Sequence, residues 1–334
     1  MNEFIKLPDT KKAEYFNNTA LTTGLPNIAV EKDWWVTTVL RALFALPYAE
    51  NFSFKGGTSL SKCWNLIERF SEDIDIAVNR EYLGFSGTLS KTQISDRLRR
   101  AACSFVRETL QSDIAKQLEI NDINSEQFTV KVNITPVSTT DPEIIEVEYK
   151  TLFDEVSYIK HKVVLEVSGR SMSEPVQSVN LQSLIDETFP KTNFAEKPFA
   201  VQAVVPQRTF IEKICLLHEE FAKPQDLMRS ERMSRHLYDV VKIMDTPIAV
   251  EALANKELYN SVVEHRRVFI GLKGFDYNTL TPKSINIVPP ENIIELWKAD
   301  YENMQGTMIY GYSLPFVKLI EKIKQLNEKI NRIV

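Results

Sequence analysis

A glycine pair followed closely by two aspartates is the feature that most constrains how this chain folds. The first block reads Phe54-Lys55-Gly56-Gly57-Thr58-Ser59-Leu60-Ser61-Lys62, and the second reads Arg69-Phe70-Ser71-Glu72-Asp73-Ile74-Asp75-Ile76. The aspartates of the second block alternate with isoleucines, a pattern that is typical of a strand. Because side chains two residues apart on a strand share a face, we expect Asp73 and Asp75 to project together.

Two carboxylates at this spacing predict a cation site. They repel each other unless a cation lies between them, and Mg²⁺ commonly takes one or two carboxylates together with substrate phosphates. The glycine pair allows the backbone to approach a phosphate closely, and Thr58 and Ser59 add hydroxyl groups. The alternative is a solvated Asp-x-Asp on an edge strand, but the glycine block upstream favours the functional interpretation.

The two blocks resemble the nucleotidyltransferase fold of the polymerase-β type. Within that superfamily the wording is similar to the AbiEii-like (MenT-like) nucleotidyltransferase toxins, whose members carry GGTxLxK followed by RxSxDIDI. Three further blocks resemble the same family in the same order: EKDWWV at 31–36, RTFIEKICLL at 208–217 and SRHLYD at 234–239.

The resemblance implies an α+β fold and a domain organisation. A small mixed-sheet nucleotidyltransferase domain, with an N-terminal helix, is expected over residues 1–205. An α-helical domain over residues 206–334, where the pattern turns helical, is expected to complete the nucleotide pocket.

The resemblance also implies an activity. A nucleotide would move from a nucleoside triphosphate (NTP), with Mg²⁺, to a hydroxyl acceptor that is RNA, often the 3′ end of a tRNA. Growth arrest in a toxin–antitoxin or phage-defence system, with a cognate antitoxin protein, is the implied outcome. The alternatives are nucleotidylation of a small molecule or protein, and a catalytically idle module that binds a nucleotide or RNA.

The family pattern assigns roles to individual residues. Phosphate binding is expected from Gly56, Gly57, Thr58, Ser59 and Lys62. Metal binding and catalysis are expected from Asp73 and Asp75.

A third carboxylate from a neighbouring strand is common in the superfamily. Glu166 is the candidate, since an acid inside the apolar run Val163-Val164-Leu165-Glu166-Val167 is costly unless it is paired or metal-bound. The competing strand offers Glu146 and Glu148, whose alternation instead suggests an ordinary solvent-facing side.

Two residues of the helical half complete the predicted site. Lys213 is expected to place a positive charge on the triphosphate, with Asp239 beside it to fix its orientation. The alternatives are a surface lysine paired with Glu212 or Glu220, and an exposed ion-pair ladder of Arg235, Asp239 and Lys242 at helical spacing. Many members carry Arg-x-Lys-Asp at this place, a lysine-bearing form that is absent here. His236, one residue after Arg235, is interpreted as a packed or surface histidine.

Composition sets the wider limits. The chain has 334 residues, 43% of them hydrophobic, and no run of about 18 apolar residues that predicts a membrane span. Its three cysteines are widely separated and its N-terminus is polar, so we expect a cytoplasmic protein. The net charge of −5 argues against broad coating of nucleic acid, but not against a local basic groove.

The hydrophobic pattern predicts the main elements. Helices are expected over 28–46, 60–67, 88–120, 210–221, 233–244, 249–270, 291–304 and 315–334. Strands are expected over 52–54, 69–78 with its lead-in, 129–135, 144–149 and 162–167.

Overall fold

The computed structural model describes residues 3–71, 73–133, 142–154 and 160–333. The chain forms two compact units. Unit 1 comprises Met1–Cys63 and Phe70–Val204, and unit 2 comprises Trp64–Arg69 and Val205–Val334. The chain therefore leaves unit 1 for six residues, between the glycine block and the aspartates, before it returns.

Unit 1 is built on a seven-stranded mixed sheet. Its strands are β1 (Phe52–Lys55), β2 (Asp73–Val78), β3 (Phe128–Asn133), β4 (Glu143–Tyr149), β5 (Lys162–Ser168), β6 (Val176–Leu181) and β7 (Phe199–Val204). The strand order is β3-β4-β5-β2-β1-β7-β6. Strand β2 pairs antiparallel with β1 and parallel with β5, while β1 is parallel to β7.

The central strands have one buried face. In β2 and β5 the apolar residues Ile74, Ile76 and Leu165 are fully buried. The residues between them, Asp75 and Glu166 among others, are half-buried on the opposite face. The strand alternation thus separates a hydrophobic core from an acidic surface of the same sheet.

Helix α2 forms much of the core of unit 1. The helices of this unit are α1 (Asp9–Thr23), α2 (Asn27–Phe44), α3 (Gly56–Lys62), α4 (Arg99–Phe105), α5 (Gln111–Ile120) and α6 (Leu184–Thr188). The π-helical segment Gln93–Leu98 leads into α4, and the π-helical segment Val106–Leu110 joins α4 to α5. Together they form one long helical segment within the predicted range 88–120. Helix α2 is buried on nearly every side, which suits its apolar sequence.

The glycine block folds differently from the prediction. Helix α3 begins at Gly56 itself rather than at Leu60, and it ends at Lys62 rather than at Ile67. Asn65, with φ +49°, cannot continue a right-handed helix. The next residues enter unit 2 instead of extending α3.

Unit 2 is helical from Pro206 onward. Its helices are α7 (Pro206–Phe221), α8 (Ser234–Met244), α9 (Pro247–Ala254), α10 (Lys256–His265), α11 (Ile294–Thr307) and α12 (Phe316–Asn331). Pro206 lies in the first turn of α7, where its missing N–H costs no hydrogen bond. The predicted helix 249–270 is divided at Asn255, whose side chain caps α10.

The fold class is α+β, as predicted, with a mixed sheet in unit 1 and helices in unit 2. The predicted strand over 129–135 ends outside the described residues, which resume at residue 142. In the described ranges, none of the helices has the length and apolar character needed to cross a membrane.

Candidate active site

The two aspartates of the Asp-x-Asp block lie on one face of β2. Asp73 and Asp75 are half-buried, whereas Ile74 and Ile76 between and beyond them point into the core. The apolar residues anchor the strand in the sheet, so the carboxylates take the other face by strand geometry alone.

Gly56 lies in close contact with the carboxylate of Asp75. Its φ is +77°, and a Cβ added there would lie 1.9 Å from Oδ2 and 2.7 Å from Cγ of Asp75. Both the backbone angle and the contact therefore require glycine at this position. Gly57 beside it is half-exposed, so the backbone of the first turn of α3 is accessible.

The hydroxyl groups of Thr58 and Ser59 are buried. Thr58 Oγ1 donates to the carbonyl oxygen of Asp73, at 2.5 Å, and also lies 3.0 Å from Ser71 Oγ. Ser59 is buried as well. In this structure Thr58 ties α3 to the start of β2, a role that the sequence did not reveal.

Lys62 has a protein partner. Its Nζ forms an ion pair with Asp33 Oδ1, and the backbone N–H of Leu184 donates to Asp33 Oδ2 at 2.9 Å. Asp33 belongs to the EKDWWV block of α2. Lys62 therefore links α3 to α2, in addition to the phosphate role expected from the sequence.

Glu166 lies directly across from Asp75 in the parallel register of β2 and β5. Both are half-buried on the same side of the sheet. Glu146 forms an ion pair with Lys162, and Glu148 forms one with Lys131. In the described residues, no group of three or more His, Cys, Asp or Glu side chains is arranged to hold a metal ion.

Unit 2 brings Lys213 and Asp239 together. Lys213 Nζ lies 2.9 Å from Asp239 Oδ2, and the ammonium also donates to His236 Nδ1 at 3.3 Å. Lys213 and Asp239 are buried and His236 is half-buried, so neither the surface lysine nor the exposed ion-pair ladder describes this helix pair. Glu212 pairs instead with Arg208, and Lys242 pairs with Glu68.

Arg69 is the member of this cluster that sequence reasoning missed. Its guanidinium binds Asp239 through two bonds, Nε to Oδ1 at 2.7 Å and Nη2 to Oδ2 at 2.8 Å. The two residues are 170 positions apart in the sequence. Glu68, the neighbour of Arg69 in sequence, forms an ion pair with Lys242.

Burial and charge set the protonation of the cluster. Burial lowers the pKa of His236 to well below its ordinary value, and the charges of Lys213 and Arg235 lower it further. Burial also lowers the pKa of Lys213, although Asp239 opposes that shift. Burial alone raises the pKa of Asp239, but Arg69 and Lys213 outweigh it and hold that pKa far below its ordinary value. His236 is thus a neutral acceptor beside an ionised carboxylate.

Comparisons with known proteins identify a matching family and similar solved structures. The model of the family described as "Nucleotidyl transferase AbiEii toxin, Type IV TA system" matches residues 38–325. The solved structure of MenT4, a nucleotidyltransferase toxin from Mycobacterium tuberculosis H37Rv, is similar at 16% identity and a TM-score of 0.44, covering 96% of this chain and 97% of that one. The structure of JHP933 from Helicobacter pylori is similar at 11% identity and a TM-score of 0.42, covering 91% and 92%. No curated protein sequence matches the chain.

Proposed function

Because the chain belongs to the AbiEii family of nucleotidyltransferase toxins, we propose that it transfers a nucleotide from an NTP to a hydroxyl group of RNA. The acceptor that we propose is the 3′ end of a tRNA, in the cytoplasm. A cognate antitoxin protein is the partner expected from a type IV toxin–antitoxin family. Growth arrest and phage defence are the proposed outcomes.

The observation that carries the proposal is the contact between Gly56 and the Asp75 carboxylate. It brings an accessible backbone turn within van der Waals distance of one of two carboxylates on a single strand face. A metal–NTP complex needs backbone N–H groups that donate to phosphate oxygens and carboxylates that bind the metal ion. Their juxtaposition supports NTP chemistry over simple RNA binding.

The donor set on this face fits Mg²⁺. Asp73 and Asp75 provide hard oxygen ligands, and Glu166 across from Asp75 is the proposed third carboxylate. A divalent ion held there would neutralise charge on the triphosphate and at the α-phosphorus. Gly57 and its neighbouring N–H groups bind phosphate oxygens, while Thr58, Ser59 and Lys62 hold α3 in the position that this binding needs.

We assign Lys213 and Asp239 to the same reaction. The buried Lys213 ammonium supplies a positive charge for the triphosphate, and Asp239 holds it in one orientation. Nucleotidyl transfer depends mainly on placement and on charge neutralisation, so a fixed cation contributes directly to the rate.

The experiment is incubation with each labelled NTP and Mg²⁺, with and without total tRNA. We expect label on tRNA, and at least a hundredfold slower transfer by Asp75→Asn. The matched control is Glu148→Gln, which alters a strand acid that is half-exposed and paired with Lys131. If the label appears only on a small molecule or only on protein, that molecule rather than RNA is the acceptor. Equal transfer rates for wild type and Asp75→Asn would refute the proposed site.

A further inference from the structure

Four side chains of unit 2 form a cluster in which Arg69, Lys213 and Asp239 are buried and His236 is half-buried. Arg69 and Lys213 are cations, Asp239 is an anion and His236 is neutral, so the cluster carries a net charge of +1. Arg69 is 2% exposed and Asp239 is fully buried. A buried ammonium is costly unless its charge is compensated, so the Lys213 side chain favours an anion beside it.

The bidentate bond from Arg69 fixes the plane of the Asp239 carboxylate. A single ammonium would leave that carboxylate free to rotate, whereas the two N–H groups of a guanidinium define its orientation. Oxygen Oδ2 then accepts both from Arg69, at 2.8 Å, and from Lys213, at 2.9 Å. The position of the Lys213 ammonium therefore depends on Arg69 through Asp239.

Arg69 is itself held by its backbone. It forms a strand-like bridge with Ile309, and the carbonyl oxygen of Glu68 accepts from the N–H groups of Tyr310 and Gly311, at 3.1 and 3.3 Å. The N–H of Glu68 donates to the hydroxyl of Tyr238 at 3.3 Å. The segment Trp64–Arg69 is thus attached to two parts of unit 2, and its last residue has a defined position.

The Lys213 ammonium has three N–H groups. Its hydrogen-bond partners in the described part of the chain are two, Asp239 Oδ2 and His236 Nδ1. These two acceptors fix the direction of the third N–H. A phosphate oxygen is the acceptor that suits this N–H, given the net positive charge around it.

We propose that Arg69 is a positioning residue for nucleotidyl transfer. Arg69 fixes the Asp239 carboxylate, which contacts both Arg69 and Lys213, and thereby fixes the direction of the Lys213 ammonium that binds the triphosphate. The proposal rests on the proposed function. Arg69 does not itself touch the substrate, and its contribution is the geometry of the cation that does.

The first experiment compares Arg69→Lys with Arg208→Lys. Arg208 is also fully buried in unit 2 and also binds a carboxylate, that of Glu212, so both changes remove a guanidinium and keep its charge. We expect Arg69→Lys to lower kcat at least tenfold with less than a threefold change in the KM for NTP, because direction is lost while charge remains. Arg208→Lys is expected to stay within about twofold of wild type.

A double-mutant cycle with Lys213→Met separates positioning from stability. If Arg69 acts through Lys213, Arg69→Lys lowers kcat less than twofold in a protein that already carries Lys213→Met. Equal losses in Arg69→Lys and Arg208→Lys, or losses that multiply with Lys213→Met, would overturn the proposal. Arg69→Gln, which retains one donor for Asp239, carries the same expectation where Arg69→Lys does not fold.

The proposed function and the positioning role of Arg69 are refuted by different results. A wild-type protein that transfers no nucleotide refutes the proposed function. In that case the same double-mutant cycle is measured as the equilibrium affinity for inorganic triphosphate. If the affinity losses of Arg69→Lys and Lys213→Met do not multiply in the double variant, Arg69 is a positioning residue. If they multiply, that role is rejected.

Discussion

At the scale of single residues, Gly56 illustrates how closely the backbone and the Asp75 side chain are matched. Any side chain at this position overlaps the Asp75 carboxylate, since even a Cβ would lie 1.9 Å from Oδ2. The glycine is thus required by a neighbour as well as by its own φ of +77°.

We predict that Gly56→Ala abolishes nucleotide transfer, because Asp75 must move to admit the methyl group. The matched control is Gly24→Ala, at φ +75° with no atom within 4 Å of the added Cβ. Both changes carry the backbone cost of about 1–2 kcal/mol for alanine in this region, but only Gly56 carries the overlap. Transfer rate and urea unfolding are measured for both; similar activity in the two variants would contradict the prediction.

The sequence predicted part of this residue-level picture. The shared face of Asp73 and Asp75 follows from a period of two, which depends only on neighbouring residues. Arg69 and Asp239 depend on tertiary contact between positions 170 residues apart, so no local pattern contains their pairing. The Asp-x-Asp motif could be identified from the sequence, and the family resemblance implied Asp239 beside Lys213. The contribution of Arg69 emerged only from the tertiary structure.

At the scale of elements, α2 was predicted as a buried helix and is one. Its three consecutive charged residues were not explained by that prediction. Each is buried and bonded to a different part of unit 1: Glu31 accepts from Thr151 and Leu152, Lys32 donates to the carbonyl oxygen of Lys160, and Asp33 binds Lys62 and Leu184. The charged turn of α2 therefore fixes loops and α3 around the helix.

We predict that Asp33→Asn lowers the free energy of unfolding by about 3 kcal/mol, because Lys62 is left nearly buried without its anion. Glu14→Gln is the control, since its pair with Lys11 is more than half exposed and contributes little to stability. Urea unfolding at constant ionic strength measures both. Equal unfolding midpoints would show that the Lys62 pair contributes no more than a surface pair.

The sequence analysis missed α1, α6, β6 and β7, and the composition of α1 and β6 explains why those two were missed. Helix α1 is rich in polar residues and has only a narrow buried stripe that includes Phe16. Strand β6 is largely exposed, so it lacks the apolar alternation that marks a strand. The pairing of β6 with β7 at the sheet edge comes from backbone bonds that composition does not report.

At the scale of the whole molecule, the division into units does not follow the order of the chain. Residues 64–69 belong to unit 2, although about 130 residues separate them from its remainder. The predicted boundary near residue 205 remains a prediction about domains, and it did not include this segment. A hydrophobic pattern cannot identify six residues that fold with a distant part of the chain.

We predict that a fragment of residues 205–334 is markedly less stable than the same fragment with residues 64–69 joined to its N-terminus by a flexible linker. Without the segment, Asp239 and Lys213 lose Arg69, and the buried pair loses its bidentate partner. Circular dichroism and urea unfolding of the two fragments test this. Identical unfolding curves would mean that the segment adds nothing to unit 2.

The path of residues 64–69 has a practical consequence for engineering within the family. A chimera that takes its helical half from a relative at residue 205 would combine one protein's arginine with another protein's aspartate. The hexapeptide and the C-terminal half should therefore be exchanged as a single cassette, even though the gene encodes them in separate places.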